Sequence, residues 1–354
     1  MTAERRPFLR RAKNKLRETF LPQPFTTAKM RSQWTAVKGA YKGRRAFLLG
    51  NGPSLNLTPL HLLRDDHCLL FNRANLLFDR LPFTPSMYMC VDERVAKDMS
   101  TEINAFKDRF DHAFFPNIHP SSIDFRRFIK DGPNVLWLHL NWDGFFTDLP
   151  QVGLGGTVAN VGLQVLAFLG FSPIYIVGVD MDYAKPEGTV AKNARDWTAT
   201  KDNDCNHFDP RYFGAGRKYH YPRVEESMLP SMYRAHKIAA DLHIQIFNAG
   251  YGGKLEAFDR VDFRALFHTA PTEEVQIILD HACLEGLGST LPDALPNAPR
   301  LSSPAHWNAE HEAVIARSDI ALQVFPSALI THTPLGPVDD SYLFVRRERI
   351  RARA

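Results

Sequence analysis

The residues of this chain best suited to chemistry lie in two glycine turns, at three strand ends and in one long aromatic loop. Gly50-Asn51-Gly52-Pro53-Ser54 follows the apolar run Ala46–Leu49. The glycines allow backbone angles and close approaches that a side chain would block, and Pro53 suits a first helical position. Free N–H groups in such a strand–turn–helix can cradle a phosphate, with help from a helix dipole. Two glycines at a strand-to-helix turn also occur for purely structural reasons. A second loop, Gly153-Leu154-Gly155-Gly156-Thr157, leads into Val158–Leu169, where Val158, Val161, Val165, Leu166 and Leu169 fall at helical spacing. Thr157 is a natural N-cap, and Gly162 inside the helix predicts close backbone packing.

Polar residues close three short apolar segments: Asn72 after 68–71, Asp92 after 86–91, and Asp180 after 174–179, with Asp182 two residues beyond. In open α/β sheets ligands bind beyond the carboxyl ends of the strands, so these are the positions of a site. The carboxylates can hold Mg²⁺ together with phosphate. Equally, they can bind a ribose hydroxyl or cap a following helix. Residues 184–224 are polar, glycine-rich and aromatic, and include Asp202, Asp204, His207, Tyr212, Tyr219, His220 and Tyr221. A long loop without clear elements is usually functional or disordered, and the aromatics argue against disorder. They can stack a base or sugar, or form the core of a folded lid.

These positions require a sheet to hold them. The short apolar runs read as strands buried on both faces of a parallel sheet: 46–49, 68–72, 86–92, 112–115, 134–138, 174–180 and 243–247. Helices are expected at 27–40, from Thr58 as a cap, at 105–110, 122–129, 158–169 and 228–240. The predicted fold is α/β: a Rossmann-like, doubly wound, mostly parallel sheet. Residues 1–40 form a basic helical arm, 41–267 the nucleotide-binding domain, and 268–354 an accessory segment with helices at 272–285 and 308–317.

With 354 residues, 44% hydrophobic and 23% charged, the chain has the composition of a soluble globular protein. No stretch reaches the ~20 apolar residues of a membrane span. Arg5, Arg6, Arg10, Arg11, Lys13, Lys15 and Arg17 interrupt any signal-peptide core. Cys68, Cys90, Cys205 and Cys283 lie far apart without a CxxC pair, which fits a reducing cytoplasm and gives no zinc signature. The net charge of +4 hides an asymmetry, because residues 1–45 carry about thirteen basic and two acidic side chains. No nucleic-acid recognition motif accompanies that charge. Phe8, Leu9, Leu16 and Phe20 interleave with it, as in a helix lying on an anionic membrane surface. A solvated extension packed on its own domain is the equal alternative.

Five segments, GNGPSL, LLFNRANLLF, YMCVDE, GGTVANVGLQVLAFLGFSPIYIVGVDMDY, and NHFDPRYF with IFNAGYGGKLEAFDRVDF, carry a resemblance in their order and spacing. Together, over about residues 40–267, they resemble the 6-hydroxymethylpterin diphosphokinase MptE-like family, which also includes motility-associated glycosyltransferases of flagellins. They are more distantly similar to bacterial sialyltransferases that use CMP-sialic acid. The resemblance implies that Gly50, Asn51, Gly52, Pro53 and Ser54 line a nucleotide site, with Asn72, Asp92, Gly155, Gly156, Thr157 and Asp180. Where the sialyltransferase-like members have threonine–serine–glycine, this chain has Thr157-Val158-Ala159. The catalytic histidine is best matched by His207, with His220 as the second candidate.

Chemistry asks for the same groups: a base near the acceptor hydroxyl, which histidine suits, and donors for the departing phosphate. Arg211, Lys218 and Tyr219 are candidates for the latter. The expected activity is transfer of a nucleotide-activated sugar, a CMP-sugar foremost, onto a surface glycan, lipid-linked saccharide or protein. The alternatives are ATP-dependent pyrophosphoryl transfer to 6-hydroxymethylpterin and a non-catalytic nucleotide-binding relative. Glycosyl transfer would need no cofactor. The diphosphokinase would need Mg²⁺, with Asp180 and Asp182 as its ligands. The expected location is the cytoplasm, with peripheral contact at the inner face of the membrane.

Overall fold

The computed structural model describes residues 24–267, except 186 and 194–195, and two short strands beyond them. Eleven strands lie within 24–267: β1 Ala46–Leu49, β2 His67–Phe71, β3 Met87–Met89, β4 His112–Ile118, β5 Val135–Asn141, β6 Gln151–Gly153, β7 Ile174–Val177, β8 Thr189–Ala191, β9 Asp196–Ala199, β10 Lys218–His220 and β11 Ile246–Asn248. The α-helices are α1 Ala28–Val37, α2 Glu93–Asp98, α3 Ser100–Phe106, α4 Val158–Leu169 and α5 Leu229–Asp241.

Eight strands form one sheet in the order β11-β7-β1-β2-β3-β4-β5-β6, and every pairing in it is parallel. The chain builds outward from β1 to β6, then crosses back along α4 to place β7 on the other side of β1. The winding therefore reverses between β1 and β7, and this is the doubly wound α/β fold expected from the strand pattern.

Burial on both faces explains why these strands read as continuous apolar runs. Because side chains alternate along a strand, Ala46 and Leu48 enter one core while Phe47 and Leu49 enter the other. The first core packs α4 and the inner face of α5 on the sheet. Gly162 allows the approach: a Cβ there would lie 2.7 Å from Phe71 Cζ and 3.0 Å from Leu48 Cδ1. Thr157 caps α4 as expected, its Oγ1 accepting from Ala159 N at 3.2 Å.

Several expectations need correction. The turn after β1 leads into a 3-10 helix, Pro53–Leu57, so no α-helix dipole acts there. Thr58 closes that segment, its N–H donating to Leu55 O at 3.1 Å, and does not cap the next one, which is another 3-10 segment, Leu60–Leu63. Among 122–129 only Phe125–Arg127 is helical, and 105–110 is mostly the end of α3 and a 3-10 turn. The strand β6 and the helix α2 were not visible in the pattern, since both are too short for periodicity to register.

The loop 184–224 folds as a three-stranded antiparallel sheet, β10-β9-β8, ending in a π-helical turn at Val224–Met228. Leu279–Asp280 pairs with Tyr342–Leu343, where the sequence predicted a helix over 272–285. The helices predicted at 1–20 and 308–317, and Cys283, lie outside the described residues.

If Gly162 sets the distance between α4 and the sheet, Gly162→Ala will lower stability by about 1–3 kcal/mol through overpacking. Urea unfolding checks this, and an unchanged midpoint would mean that Phe71 swings away freely.

Candidate functional site

The topological reversal opens a crevice beside the carboxyl end of β1, the position where open α/β sheets bind ligands. A cleft with a cavity volume of about 100 Å³ lies there, lined by both the Gly50 and Gly178 turns, the first residues of α4, and His207 with Tyr212.

The two turns are stitched directly together. Gly50 N donates to Val177 O at 2.7 Å, and Gly52 N to Gly178 O at 2.8 Å. A Cβ on Gly50 would run into the Gly178 carbonyl, and one on Gly52 would meet the Asp180 carboxylate. Gly178 itself has φ +68°. Both glycines after β1 are therefore demanded by the close crossing of two strand ends. Asp180 completes the joint: Oδ2 accepts from Ser54 N at 2.9 Å and Oδ1 from Ser54 Oγ. Burial pushes the Asp180 carboxyl above its ordinary value, and the Ser54 bonds oppose that shift.

His207 enters from the inserted small-sheet region. Its Nδ1 lies 2.7 Å from Asp204 Oδ2, and the Asp204 side chain is only 3% exposed. Asp204 is fixed in turn by Phe213 N at 3.1 Å and Asn206 N at 2.9 Å. The imidazole stacks on Tyr212 with centroids 3.9 Å apart and planes 2° from parallel. Carboxylate pairing at Nδ1 makes that nitrogen the donor and leaves Nε2 as the acceptor. A histidine so held can take a proton from a hydroxyl placed in the cleft.

Of the residues predicted for the site, the structure brings Gly50, Asn51, Gly52, Asn72, Thr157, Asp180, Asp182 and His207 to the cleft wall. Ser54 and Pro53 stand behind it, with Ser54 holding Asp180. Gly155 (φ +57°) and Gly156 (φ +81°) pack under Ser231 and Ser227 at the start of α5 and support the wall from outside. Asp92 caps α2, accepting from Arg94 N at 2.8 Å and Val95 N at 3.0 Å. Arg211 is engaged by Asp209 at 2.7 Å. Among the described residues, no lysine or arginine lines the cleft.

His220 belongs to a different cluster, on the small sheet. Its Nδ1 is 3.2 Å from Asp196 Oδ1 and its Nε2 4.0 Å from Glu93 Oε1, while His119 Nε2 lies 3.4 Å from Glu93 Oε2. Burial raises the Glu93 carboxyl, but the neighbouring imidazoles of His220 and His119 outweigh it and hold the pKa at about 2.

Asp204 was missed as a partner of His207, although the Asp-x-x-His spacing was its one sequence signal. Asn51 and Asn72 each leave an amide oxygen buried without a protein partner. Asn72 also has φ +50°, a conformation asparagine tolerates better than most residues.

Magnesium can be tested against these residues. Both oxygens of Asp180 already accept from Ser54, and Asp182 pairs with Lys254 at 2.8 Å. Among the described residues no group of three or more His, Cys, Asp or Glu is disposed to hold a metal ion. The pair fits a resident Mg²⁺ poorly.

Residues 24–186 match the family model described as 6-hydroxymethylpterin diphosphokinase MptE-like. The resemblance read from the motifs is thus found independently, over the part of the domain that carries the Gly50 turn, Asn72, Thr157 and Asp180. Two solved structures are similar at low identity. One is the MAf glycosyltransferase from Magnetospirillum magneticum AMB-1, with 17% identity and a TM-score of 0.40 over 69% of this chain and 40% of that one. The other is the sialyltransferase CstII from Campylobacter jejuni, solved in complex with a substrate analogue, cytidine-5'-monophosphate, with 12% identity and a TM-score of 0.36 over 63% of this chain and 88% of that one. This chain thus spans well under two thirds of the first. No curated protein matches the chain.

The Glu93 cluster makes a stability prediction. A carboxyl whose pKa is depressed on folding stabilises the fold above its unfolded pKa, near 4.5, and that contribution is lost as pH falls toward about 2. Denaturant unfolding across that window should show wild type losing stability more steeply than Glu93→Gln. Parallel curves would remove Glu93 as the cause.

Proposed function

We propose that this protein is a transferase acting on a nucleotide-activated donor, and specifically a glycosyltransferase using a CMP-activated sugar without a metal. One observation carries the reading: His207, oriented through Asp204, lines the same cleft as the glycine turns where the winding of the sheet reverses. A base and a helix N-terminus bordering one crevice suit glycosyl transfer. The acceptor hydroxyl gives its proton to His207 Nε2 as its oxygen bonds to the anomeric carbon. The bond from that carbon to the phosphate oxygen breaks, and CMP leaves with the electron pair. The N-terminus of α4, whose first residues line the cleft, faces the developing charge.

Electrostatics favours a CMP-sugar over ATP. A CMP-sugar presents one phosphodiester charge, which backbone dipoles can balance. A triphosphate brings several more into a cleft lined, among the described residues, by Asp180 and Asp182 and by neither lysine nor arginine. The family description supports pyrophosphoryl transfer to a pterin as the second reading. The departure from Ser to Val158 removes one hydroxyl from the donor wall and leaves its backbone intact.

Calorimetry with CMP and with ATP, each with and without Mg²⁺, separates the two. CMP binding indifferent to Mg²⁺ is expected, whereas Mg²⁺-dependent ATP binding with weak CMP binding would transfer the assignment to the diphosphokinase. Once a donor is found, His207→Ala should lower kcat about 100-fold or more, the usual weight of a general base. Asp204→Asn should lower it at least about 10-fold with little change in donor KM, since it disturbs only the orientation and tautomer of the ring. Activity surviving His207→Ala would remove this histidine as the base.

A further inference from the structure

The large apolar side chains left exposed among the described residues are unevenly distributed. They are Phe25, Trp142, Val190, Tyr233 and Leu242. Trp142, 58% exposed, directly follows the carboxyl end of β5 and rests edge-on against His119, which directly follows β4. Phe25 is held at the same end, its carbonyl accepting from Asn117 Nδ2 at 2.7 Å and lying 2.7 Å from His139 Nε2. Tyr233 lies in the first turns of α5, where Arg234 pairs with Asp143 at 2.6 Å, one residue beyond Trp142. Val190 is on β8, in the small sheet that ion pairs such as Arg94–Asp196 fasten to the carboxyl end of β3. Only Leu242 lies at the opposite end, closing α5 just before the chain turns into β11. Four of the five thus surround the end of the sheet where the cleft opens.

The chain enters the described domain at this same end. α1 runs antiparallel to β5, with Thr26 Oγ1 3.1 Å from His139 Nε2 near its start and Gln33 Nε2 donating to Val135 O further along. The chain therefore joins the domain, at residues 24–26, beside the carboxyl ends of β4 and β5. The sequence before that point holds seven basic and two acidic side chains, interleaved with Phe8, Leu9, Leu16 and Phe20. The ion pairs on the face itself are largely internal, as in Lys254–Asp182 and Arg234–Asp143. The excess positive charge comes from residues 1–23.

We infer that the carboxyl end of the sheet docks on an anionic phospholipid bilayer, so that the cleft faces the membrane and the acceptor is a lipid-linked saccharide. Basic residues supply the attraction to anionic headgroups, and exposed aromatic side chains supply interfacial insertion. Tryptophan and tyrosine favour that depth because their rings are amphipathic. The choice of acceptor rests on the transferase reading above, whereas the docking geometry stands without it.

The test is flotation of the full chain with vesicles of phosphatidylcholine, or of phosphatidylcholine mixed with phosphatidylglycerol. Binding is expected only to the anionic vesicles and should weaken with added salt. The combined variant R10Q/R11Q/K13Q/K15Q should reduce it at least about 10-fold. Trp142→Ser should reduce it roughly fivefold, and Leu242→Ser should leave it unchanged. Equal effects of Trp142→Ser and Leu242→Ser would overturn the docking face. So would equal binding to neutral vesicles, or retention on an RNA or DNA oligonucleotide with none on vesicles. CMP calorimetry on each variant without lipid keeps the two readings apart. Intact CMP binding without flotation rejects the docking alone, and flotation without nucleotide binding rejects the transferase alone.

Discussion

The Asp180 carboxylate is the constraint on which the site depends. It bridges two turns that are distant in sequence, accepting both the N–H and the hydroxyl of Ser54 while lying against Gly52. Burial opposes its charge, so the two bonds from Ser54 serve chiefly to satisfy a carboxylate that the fold has drawn out of water. With that joint closed, the ends of β1 and β7 are too close for any side chain at Gly50. The N–H groups of Gly50, Gly52 and Ser54 are then spent on this joint, and they hold the wall of the crevice in place. The glycines, the serine and the acid form one unit, and no member can be exchanged without affecting the others.

This joint also explains which features of the sequence were legible. The strands were readable because each is buried on two faces, and an uninterrupted apolar run of four or five residues has few other uses. Their polar ends pointed correctly to one end of the sheet. What they did there was not readable. Asp180 and Asp92 look alike in sequence, each closing an apolar strand, yet Asp180 clamps a turn at the cleft while Asp92 caps α2. The difference lies in what the topology brings opposite them.

The small sheet was the least legible part. β8, β9 and β10 are three or four residues long, and their pairing is specified by turns and by contacts such as Trp197 with Tyr221. Periodicity does not register at that length. His207 and His220 were accordingly offered together, and the fold separates them. One stacks on Tyr212 in the cleft, while the other meets Glu93 and Asp196 outside it. A histidine's role follows from its carboxylate partner and from the cavity it faces, and neither is a local property of the chain.

The attachment of the histidine segment has a mechanical consequence. Phe208 N donates to Asn51 O at 2.9 Å, and Asn56 Nδ2 donates back to Phe208 O at 2.8 Å. The residue next to His207 is therefore bolted to the same turn that lines the cleft. Hinging of the small sheet would pull His220 away from Glu93 but leave the imidazole of His207 in place. That imidazole keeps its register with the wall of the cleft.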